Sequence, residues 1–361
     1  MKRNKLIMKK RIISILFIVC NLLLIYSSIM PNIIKANANS NSAEIVVELN
    51  TRRVVYAKNE NIKKYMASTT KILTAITVIE NCNIDDVVVI KKDSVGIEGS
   101  SIYLEAGEKL TVKDLLYGLM LRSGNDCAHA LAMHCSNDIN KFALLMNETA
   151  KKIGANNSNF VNPHGLHDDN HYTTAYDLAL ISCYAMKNDT FREIVSTKSI
   201  KIPHTTRNTS RLLINKNKML KEFSGSTGIK TGYTKKAGRC LVSSCKRNGI
   251  EFICVVLNCG PMFEVSKTLL TNAFKDYKNY KIMESDNILK FIDTENGEKI
   301  GVFIKNDIIL PLTKYEKENI EIMIDVPDIL TNKDKNQKEI GKVKIYCQNN
   351  LLFEEKIYTI I

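Results

Sequence analysis

The sequence has no tryptophan, no internal repeat, no low-complexity segment and no C-x-x-C pair of cysteines. The missing tryptophan by itself points to no function. Without repeats there is no sign of a repeat architecture. The chain also lacks a basic helix with interleaved aromatic residues, so we do not expect a nucleic acid as its partner.

What the chain does contain is typical of a folded protein. It has 361 residues, of which 45% are hydrophobic and 25% are charged. This length is enough for two domains, and the apolar content is enough to bury a core. The chain is therefore not an intrinsically disordered one.

The first 38 residues have the pattern of a secretory signal peptide. Lys and Arg residues precede an apolar run from Ile12 to Met30, and the small-x-small pattern Ala36-Asn37-Ala38 follows. We expect an exported protein that is cleaved after Ala38. An uncleaved membrane anchor is the alternative, because the apolar run is long for a signal.

Charge and cysteine usage bear on the compartment. Residues 1–38 hold seven of the Lys and Arg residues and no acid, so the formal charge of +13 falls to +6 without them. A mildly basic chain suits a polyanionic cell wall or a membrane surface. Nine of the ten cysteines follow residue 38, and this odd number leaves at least one thiol free. We expect them mostly as small buried side chains, and a disulfide between two of them stays open.

Periodicity predicts strands at both ends of residues 39–280 and helices between them. This predicts an α+β domain, in which the two ends form an antiparallel sheet covered by helices. Residues 281–361 alternate in short runs and predict a small all-β domain. The predicted strands are 44–49, 54–58, 229–234, 239–246 and 251–257, and the predicted helices are 68–80, 112–121, 124–135, 141–153, 176–187 and 265–277.

Ser68 and Lys71 stand three residues apart at the start of the first predicted helix. Residues i and i+3 share a helix face, so Lys71 can reach the Ser68 hydroxyl. A second S-x-x-K, from Ser243 to Lys246, lies on a predicted strand, where the two side chains point to opposite faces. On the pair alone, a helix-capping serine beside a solvated lysine is the favoured interpretation.

Two further elements favour catalysis instead. Ser123-Gly124-Asn125 lies 55 residues after Ser68, in the break between two predicted helices, and Lys230-Thr231-Gly232 lies on a predicted strand. S-x-x-K, S-D-N and K-T-G elements occur together in penicillin-binding proteins and class A β-lactamases. Ser285-Asp286-Asn287 matches the middle element literally, but it follows K-T-G, and we treat it as a chance match.

Each element suits one task of a serine acyl enzyme. Ser68 is the candidate nucleophile, Lys71 its base, and the Ser123 hydroxyl can relay a proton to the leaving amine. Asn125 can hydrogen-bond the substrate amide. Lys230 supplies positive charge for a carboxylate.

The chain resembles the D-alanyl-D-alanine carboxypeptidases, the low-molecular-mass penicillin-binding proteins of serine peptidase family S11. The resemblance covers nearly all residues after the signal, and the part after about Tyr280 is similar to the family's C-terminal β domain. Its specific stretches are MASTTKILTA (66–75), SSIYLEAGEKLTVKDLLYGLMLRSGNDCAHALA (100–132), FVNPHGLHDDNHYTTAYDLA (160–179) and TGIKTGYTKKAGRCLV (227–242).

The resemblance implies removal of the terminal D-alanine from peptidoglycan stem pentapeptides, without a metal or cofactor. It implies an acyl-enzyme at Ser68, with the backbone N–H groups of Ser68 and Tyr233 as the oxyanion hole. β-Lactam antibiotics should acylate the same serine. The remaining residues implied for the site are Lys71, Ser123, Asn125, Lys230, Thr231 and Gly232, the last of which lets substrate lie close to the strand edge.

Two departures from the family stand out. Many members end in an amphipathic membrane-binding helix, and none follows Ile361, so we expect either a soluble mature protein or anchoring through the N-terminal segment. Many also carry a basic residue in the run that leads to the closing helix. That run, residues 259–264, has none here, which leaves Lys230 and Thr231 to hold the substrate carboxylate.

Two other functions compete with this hypothesis. A secreted β-lactamase shares the three elements, but class A enzymes use a deacylating glutamate. Glu148, Glu193 and Glu222 are the only glutamates between Asn125 and Lys230, and none has an E-x-x-L-N setting. A catalytically weak peptidoglycan-binding protein is the other alternative. We expect three segments, a signal at 1–38, a catalytic domain at 39–280 and a β domain at 281–361.

Overall fold

Strands from both ends of the first large segment and helices from its middle build the fold, as predicted. The computed structural model describes residues 41–331 and 339–360, and the predicted signal, residues 1–38, lies outside them. The strands are β1 (Ala43–Glu48), β2 (Val54–Lys58), β3 (Val87–Val89), β4 (Lys109–Thr111), β5 (Ser199–His204), β6 (Thr209–Ile214), β7 (Ser226–Thr234), β8 (Gly238–Arg247), β9 (Ile250–Leu257), β10 (Lys278–Met283), β11 (Lys290–Thr294), β12 (Lys299–Phe303), β13 (Ile308–Leu312), β14 (Ile320–Asp325), β15 (Ile329–Leu330), β16 (Glu339–Cys347) and β17 (Asn350–Thr359).

The helices lie mainly between β2 and β7. They are α1 (Lys71–Asn81), α2 (Val112–Tyr117), α3 (Asn125–Ser136), α4 (Ile139–Ile153), α5 (Ala175–Ala185), α6 (Asp189–Ser196), α7 (Met219–Glu222), α8 (Met262–Asp276) and α9 (Lys314–Glu318). A 3-10 turn, Ala67–Thr70, leads into α1, and a π-helical turn, Gly118–Arg122, follows α2.

The central sheet is antiparallel and runs in the order β2-β1-β9-β8-β7. Both of its faces are covered. Ile253 and Val255 of β9 pack in the core with α1 and the other middle helices, whereas Phe252 and Cys254 pack with α8. All eight residues of β9 are therefore buried, and its sequence is apolar throughout instead of alternating.

Helix α1 crosses the middle of the helical layer. Every residue from Lys71 to Val78 is buried, including the lysine. A helix that is apolar nearly all round belongs inside a core, and this environment removes Lys71 from water. The edge strand β7 packs against the 3-10 turn in front of α1, so the fold brings two of the predicted catalytic elements together.

The sequence prediction missed the β3–β4 pair, α6, the β5–β6 hairpin and α7. Helix α6 begins after Asn188, whose side chain accepts the Phe191 N–H. It is amphipathic but only eight residues long. In the β5–β6 hairpin, Ile202 and Leu213 are the buried apolar residues. Short elements such as these show too few turns or alternations to reveal a period.

Residues 278–331 and 339–360 are mostly β-structure, as predicted. Six strands form a sheet in the order β14-β16-β17-β12-β11-β15, and β10 pairs with β13. Their apolar side chains make a separate core that includes Ile292, Val302 and Ile345.

The cysteines of the described residues divide into a pair and a buried set. Cys82 and Cys135 form a disulfide between the end of α1 and the end of α3. The free cysteines are all buried, as expected for small apolar side chains. Burial raises the pKa of the Cys240 thiol to about 12, which keeps it protonated and unreactive.

Candidate active site

Ser68 lies inside the 3-10 turn and does not cap a helix. The N-cap residue of the 3-10 turn is Met66 and that of α1 is Thr70. Neither side chain makes a capping hydrogen bond. The Ser68 Oγ lies 3.2 Å from the Lys71 Nζ. The helical spacing therefore brings the hydroxyl and the amine together, as the sequence predicted.

Lys71 is fully buried and has two acceptors besides Ser68. Its Nζ donates to the Asn125 Oδ1 at 2.7 Å and to the His164 carbonyl oxygen at 2.5 Å. Burial lowers the pKa of Lys71 well below its ordinary value, and the positive charge of Lys230 lowers it further. A neutral amine has two N–H bonds and one lone pair, so these two acceptors leave the lone pair for Ser68.

The loop from Asn162 to Gly165 holds the start of α1 in place. Gly165 has a φ of +86°, and a Cβ there would lie 1.9 Å from the Ala67 carbonyl oxygen. Thr74 Oγ1 also donates to the Pro163 carbonyl oxygen at 2.7 Å. The sequence predicted a loop here, but it did not predict that the His164 backbone would hold the lysine.

His171 supports the residue before the serine. Its Nδ1 accepts the Val161 N–H at 3.1 Å, and its Nε2 lies 2.7 Å from the Thr70 Oγ1. Thr70 Oγ1 in turn donates to the Ala67 carbonyl oxygen. This chain of bonds requires a neutral ring with the proton on Nε2, and burial lowers the His171 pKa to about 4.

Ser123 follows the π-helical turn, where the break between helices was predicted. It takes a left-handed conformation with φ +65°, and its side chain is nearly buried. Asn125, two residues on, begins α3 and donates its side-chain N–H to the Glu98 carbonyl oxygen. The amide nitrogen has a second N–H bond that this contact does not use.

The buried carboxylate of Asp126 fixes the loop over this helix start. It accepts the N–H groups of Ile102 and Leu104, each at 3.1 Å, and the Ser101 hydroxyl at 2.5 Å. Three such bonds to one carboxylate hold the backbone firmly. Ser100, the neighbouring residue, thereby reaches the cavity beside Ser123.

The third element lies on the edge strand β7. Gly232 packs against the turn that carries Ser68, and a Cβ on it would lie 3.0 Å from the Ser68 nitrogen. Tyr233, the next residue, also lines the cavity and is 64% exposed. Lys230 is fully buried behind the strand, where its Nζ donates to the Thr231 carbonyl oxygen at 3.0 Å. Burial lowers its pKa to about 7, with a further contribution from Lys216.

These elements meet at one cavity of about 280 Å³. Sequence reasoning missed four of its lining residues, Ser100, Lys216, Met262 and Phe263, which come from loops and from the start of α8. No local pattern marked them, because their place depends on how distant segments pack. The full lining is Ser68, Ser100, Ser123, Lys216, Thr231, Gly232, Tyr233, Met262 and Phe263.

The sequence features that we set aside lie elsewhere. Ser243 is buried inside β8 while Lys246 is exposed, so this second S-x-x-K pair faces opposite ways, as predicted. Ser285 is a surface residue whose backbone N–H donates a hydrogen bond to the Asp307 Oδ1 at 2.8 Å.

The glutamates that a β-lactamase mechanism would need are also remote from the cavity. Glu193 pairs with Lys113 and accepts the Tyr117 hydroxyl, and Glu222 pairs with Lys267. Glu148 is exposed on α4. None of the three lines the cavity with Ser68.

Comparisons with known proteins identify the family to which the chain belongs. The family model described as D-alanyl-D-alanine carboxypeptidase matches residues 31–260, and that of the C-terminal domain of penicillin-binding protein 5 matches residues 277–360. The D-alanyl-D-alanine carboxypeptidase DacF of Bacillus subtilis (strain 168) is 30% identical over 334 residues, covering 89% of this chain and 85% of that protein. The D-alanyl-D-alanine carboxypeptidase of Streptomyces sp. (strain K15) is 36% identical over 223 residues, covering 57% of this chain and 77% of that protein.

Solved structures show the same fold. The crystal structure of the D-alanyl-D-alanine carboxypeptidase DacD from Francisella tularensis superposes with a TM-score of 0.70 at 26% identity, over 92% of this chain and 95% of that chain. The chain therefore belongs to the S11 family of D-alanyl-D-alanine carboxypeptidases. It is a serine-type D-Ala-D-Ala carboxypeptidase, and neither alternative function is favoured.

Proposed function

We propose that the chain removes the terminal D-alanine of peptidoglycan stem peptides through an acyl-enzyme at Ser68. The hydroxyl attacks the carbonyl of the D-Ala-D-Ala bond, and the terminal D-alanine leaves as a free amine. Water then attacks the ester and releases the shortened peptide. The observation that carries this proposal is the buried Lys71 Nζ, 3.2 Å from the Ser68 Oγ.

Lys71 is the general base of the first step. Its neutral form is favoured because ionisation of a fully buried amine is costly and Lys230 repels a second positive charge. Asn125 and the His164 carbonyl take its N–H bonds, so the lone pair can accept the Ser68 proton. The same amine can activate the water of the second step.

Ser123 and the edge strand serve the leaving group and the developing charge. The Ser123 hydroxyl lines the cavity with Ser68 and relays the proton to the departing amine. The N–H groups of Ser68 and Tyr233 form the oxyanion hole. Gly232 keeps the strand close to Ser68, and Thr231 offers its hydroxyl to the substrate.

Lys230 acts through the electrostatic field of its charge and does not contact the substrate. It does not line the cavity, and its Nζ bonds the Thr231 backbone. Its charge favours the neutral form of Lys71 and attracts a substrate that carries a carboxylate. β-Lactams, which also carry a carboxylate, acylate Ser68 and are released slowly, since no glutamate of the described residues lines the cavity.

The segment boundaries and location belong to the same proposal. We assign residues 39–280 to the catalytic domain and 281–361 to a C-terminal β domain, with residues 1–38 as the export signal. No helix of the described residues is long and apolar enough to cross a membrane. The mature chain would act outside the cytoplasm, at the wall or the membrane surface. N-terminal sequencing of the secreted protein would locate the cleavage site.

The test uses the mature chain and a synthetic peptide ending in Lys-D-Ala-D-Ala. Wild type should release free D-alanine and be labelled by fluorescent penicillin. Ser68→Ala should abolish both, whereas Ser243→Ala, the same change in the second S-x-x-K pair, should abolish neither. A Ser68→Ala variant that still takes up penicillin would refute the assignment, and rapid penicillin hydrolysis without D-alanine release would indicate a β-lactamase.

A further inference from the structure

The peptide group between Ala67 and Ser68 has two hydrogen-bonding ends. Its N–H belongs to Ser68 and is one of the two oxyanion donors of the proposed mechanism, and its carbonyl belongs to Ala67. The peptide is trans and planar, so the N–H and the carbonyl point in opposite directions. Contacts that fix the direction of the Ala67 carbonyl oxygen therefore also fix the direction of the Ser68 N–H.

Two glycines show which way this peptide faces. A Cβ at Gly165 would lie 1.9 Å from the Ala67 carbonyl oxygen, whereas a Cβ at Gly232 would lie 3.0 Å from the Ser68 nitrogen. The carbonyl oxygen thus faces the 162–165 loop, and the nitrogen faces strand β7. Because Gly232 lines the catalytic cavity together with Ser68, the Ser68 nitrogen is on the cavity side of the peptide.

The Ala67 backbone needs support to keep this orientation. Ala67 has a φ of +48°, in the left-handed region that residues other than glycine rarely adopt. Such a conformation persists only where the surrounding structure holds it. Here the Thr70 Oγ1 donates a hydrogen bond to the Ala67 carbonyl oxygen at 2.8 Å. Thr70 is fully buried, so bulk water does not compete for this bond.

His171 leaves the Thr70 hydroxyl with one direction for its proton. The ring Nδ1 accepts the Val161 N–H at 3.1 Å, so the proton of the neutral ring is on Nε2, which lies 2.7 Å from the Thr70 Oγ1. The Nε2–H donates to the hydroxyl oxygen, and the hydroxyl proton therefore goes to the Ala67 carbonyl oxygen. The buried ring packs edge-on against Phe160, which holds it in place.

Resting on the proposed function, we propose that Thr70 and His171 are positioning residues for the oxyanion hole. Neither of them lines the cavity. They act through the Ala67 carbonyl, because the bond from Thr70 turns the Ser68 N–H toward the substrate carbonyl. The same bond makes this N–H a stronger donor, since hydrogen bonds in a chain polarise one another. The S-x-x-K element thus contributes a third residue to the reaction, the threonine before Lys71.

Thr70→Val tests the proposal, because valine keeps the shape of threonine and removes its hydroxyl. The first measurement is the rate of penicillin acylation of the mature protein. Thr70→Val should lose roughly 10-fold, which is less than the roughly 100- to 1,000-fold lost when an oxyanion donor itself is removed. Thr70→Ser keeps the hydroxyl and should retain most of the rate. His171→Phe should lose rate by a smaller factor, and it serves if Thr70→Val does not fold.

The second measurement is the infrared stretch of the ester carbonyl in the acyl-enzyme, formed with penicillin that is isotopically labelled in its β-lactam carbonyl. Donors in an oxyanion hole lower this frequency, because a hydrogen bond weakens the C=O bond. The band of Thr70→Val should therefore lie at a higher frequency than that of wild type, whereas the band of Thr70→Ser should not move. A variant that had only lost stability would keep the wild-type band in its folded fraction.

Thr77→Val is the matched control. Thr77 is a buried threonine within α1, and its hydroxyl has no hydrogen-bond partner among the described residues. This variant should keep both the acylation rate and the carbonyl band of wild type.

Two results would overturn the inference. One is an unshifted carbonyl band in folded Thr70→Val, or in His171→Phe where the first variant does not fold, and the other is an unchanged acylation rate in the same variant. Failure of the proposed function looks different, since wild type would then form no acyl-enzyme, or Ser68→Ala would still form one.

Discussion

In the proposed mechanism, the protonation of Lys71 determines whether Ser68 can react. The charged form has no lone pair, so acylation should fall on the acidic side of the Lys71 pKa. Two causes lower that pKa, burial first and the charge of Lys230 second. Lys230 itself has a pKa of about 7, so it carries its charge mainly below pH 7.

Lys230→Met should therefore move the acidic limb of the pH–rate profile to higher pH. Removing the Lys230 charge removes its repulsion of a protonated Lys71. Lys71 then binds its proton more tightly, and a higher pH is needed to deprotonate it. The measurement is the rate of penicillin acylation of the mature protein as a function of pH. Lys218→Met should leave the limb in place. A limb that stays or moves to lower pH in Lys230→Met would show that Lys230 does not tune the base.

The second S-x-x-K, which begins at Ser243, and the S-D-N at Ser285 provide another test of which motif copies act in catalysis. Ser243→Ala and Ser285→Ala should keep D-alanine release near the wild-type level, since Ser243 lies inside β8 and Ser285 on the surface. Steady-state assays on the Lys-D-Ala-D-Ala peptide decide the matter. A thousandfold loss in either variant would mean that the wrong element had been assigned.

At the scale of elements, the 162–165 loop packs closely against the 3-10 turn that carries Ser68, the proposed nucleophile. Gly165 and Gly154 both have a left-handed φ, +86° and +97°. A Cβ at 165 would overlap the Ala67 carbonyl, whereas one at 154 would meet nothing within 4 Å. A side chain would therefore strain the backbone at both positions, but only at position 165 would it also collide with Ala67.

Gly165→Ala should lower both stability and acylation, and Gly154→Ala only stability. The unusual φ costs about 1–3 kcal/mol in each variant. The overlap at 165 in addition displaces Ala67, and with it Ser68. Thermal denaturation and penicillin labelling of both variants measure the two effects. Equal labelling rates in the two folded variants would contradict a positioning role for this contact.

The element scale also shows where sequence reasoning stops. The predicted 68–80 helix is observed as the 3-10 turn Ala67–Thr70 followed by α1. The spacing of apolar residues predicts which face of a helix is buried, but it does not distinguish the hydrogen-bond pattern of a 3-10 turn from that of an α-helix. The hairpin β5–β6 was missed, although it leads directly into the loop of Lys216. Its strands contain apolar residues, but Leu212 and Ile214 are exposed while Ile202 and Leu213 are buried, so the apolar pattern does not mark one buried face.

For the whole molecule, Arg53 links the central sheet to the later β-structure. Its guanidinium donates to the Pro311 carbonyl oxygen at 2.5 Å and to the Glu316 carboxylate. It also lies over the Tyr277 ring, 5.3 Å from the centroid. The side chain is only 10% exposed, so these bonds are largely shielded from water.

Arg53→Ala should loosen residues 278–360 without affecting catalysis. Hydrogen bonds of this kind contribute about 1–3 kcal/mol when a charged group takes part. Calorimetry should resolve two transitions where wild type shows one, while D-alanine release from a short peptide stays the same. Arg207→Ala, which breaks only an exposed pair with Glu105, is the control. A single unshifted transition in Arg53→Ala would argue against the link.

The sequence by itself determined the fold class and the family, and it predicted the three elements of the proposed site. Each of these depends on local spacing, such as the i, i+3 relation of Ser68 and Lys71, which any helix converts into proximity. Only the tertiary structure decided how the elements are used. Burial of Lys71 beside Lys230, the support of the His164 carbonyl and the entry of Lys216 into the cavity arise between segments far apart in the chain. Desolvation and distance are properties of the packed molecule, so no local pattern encodes them.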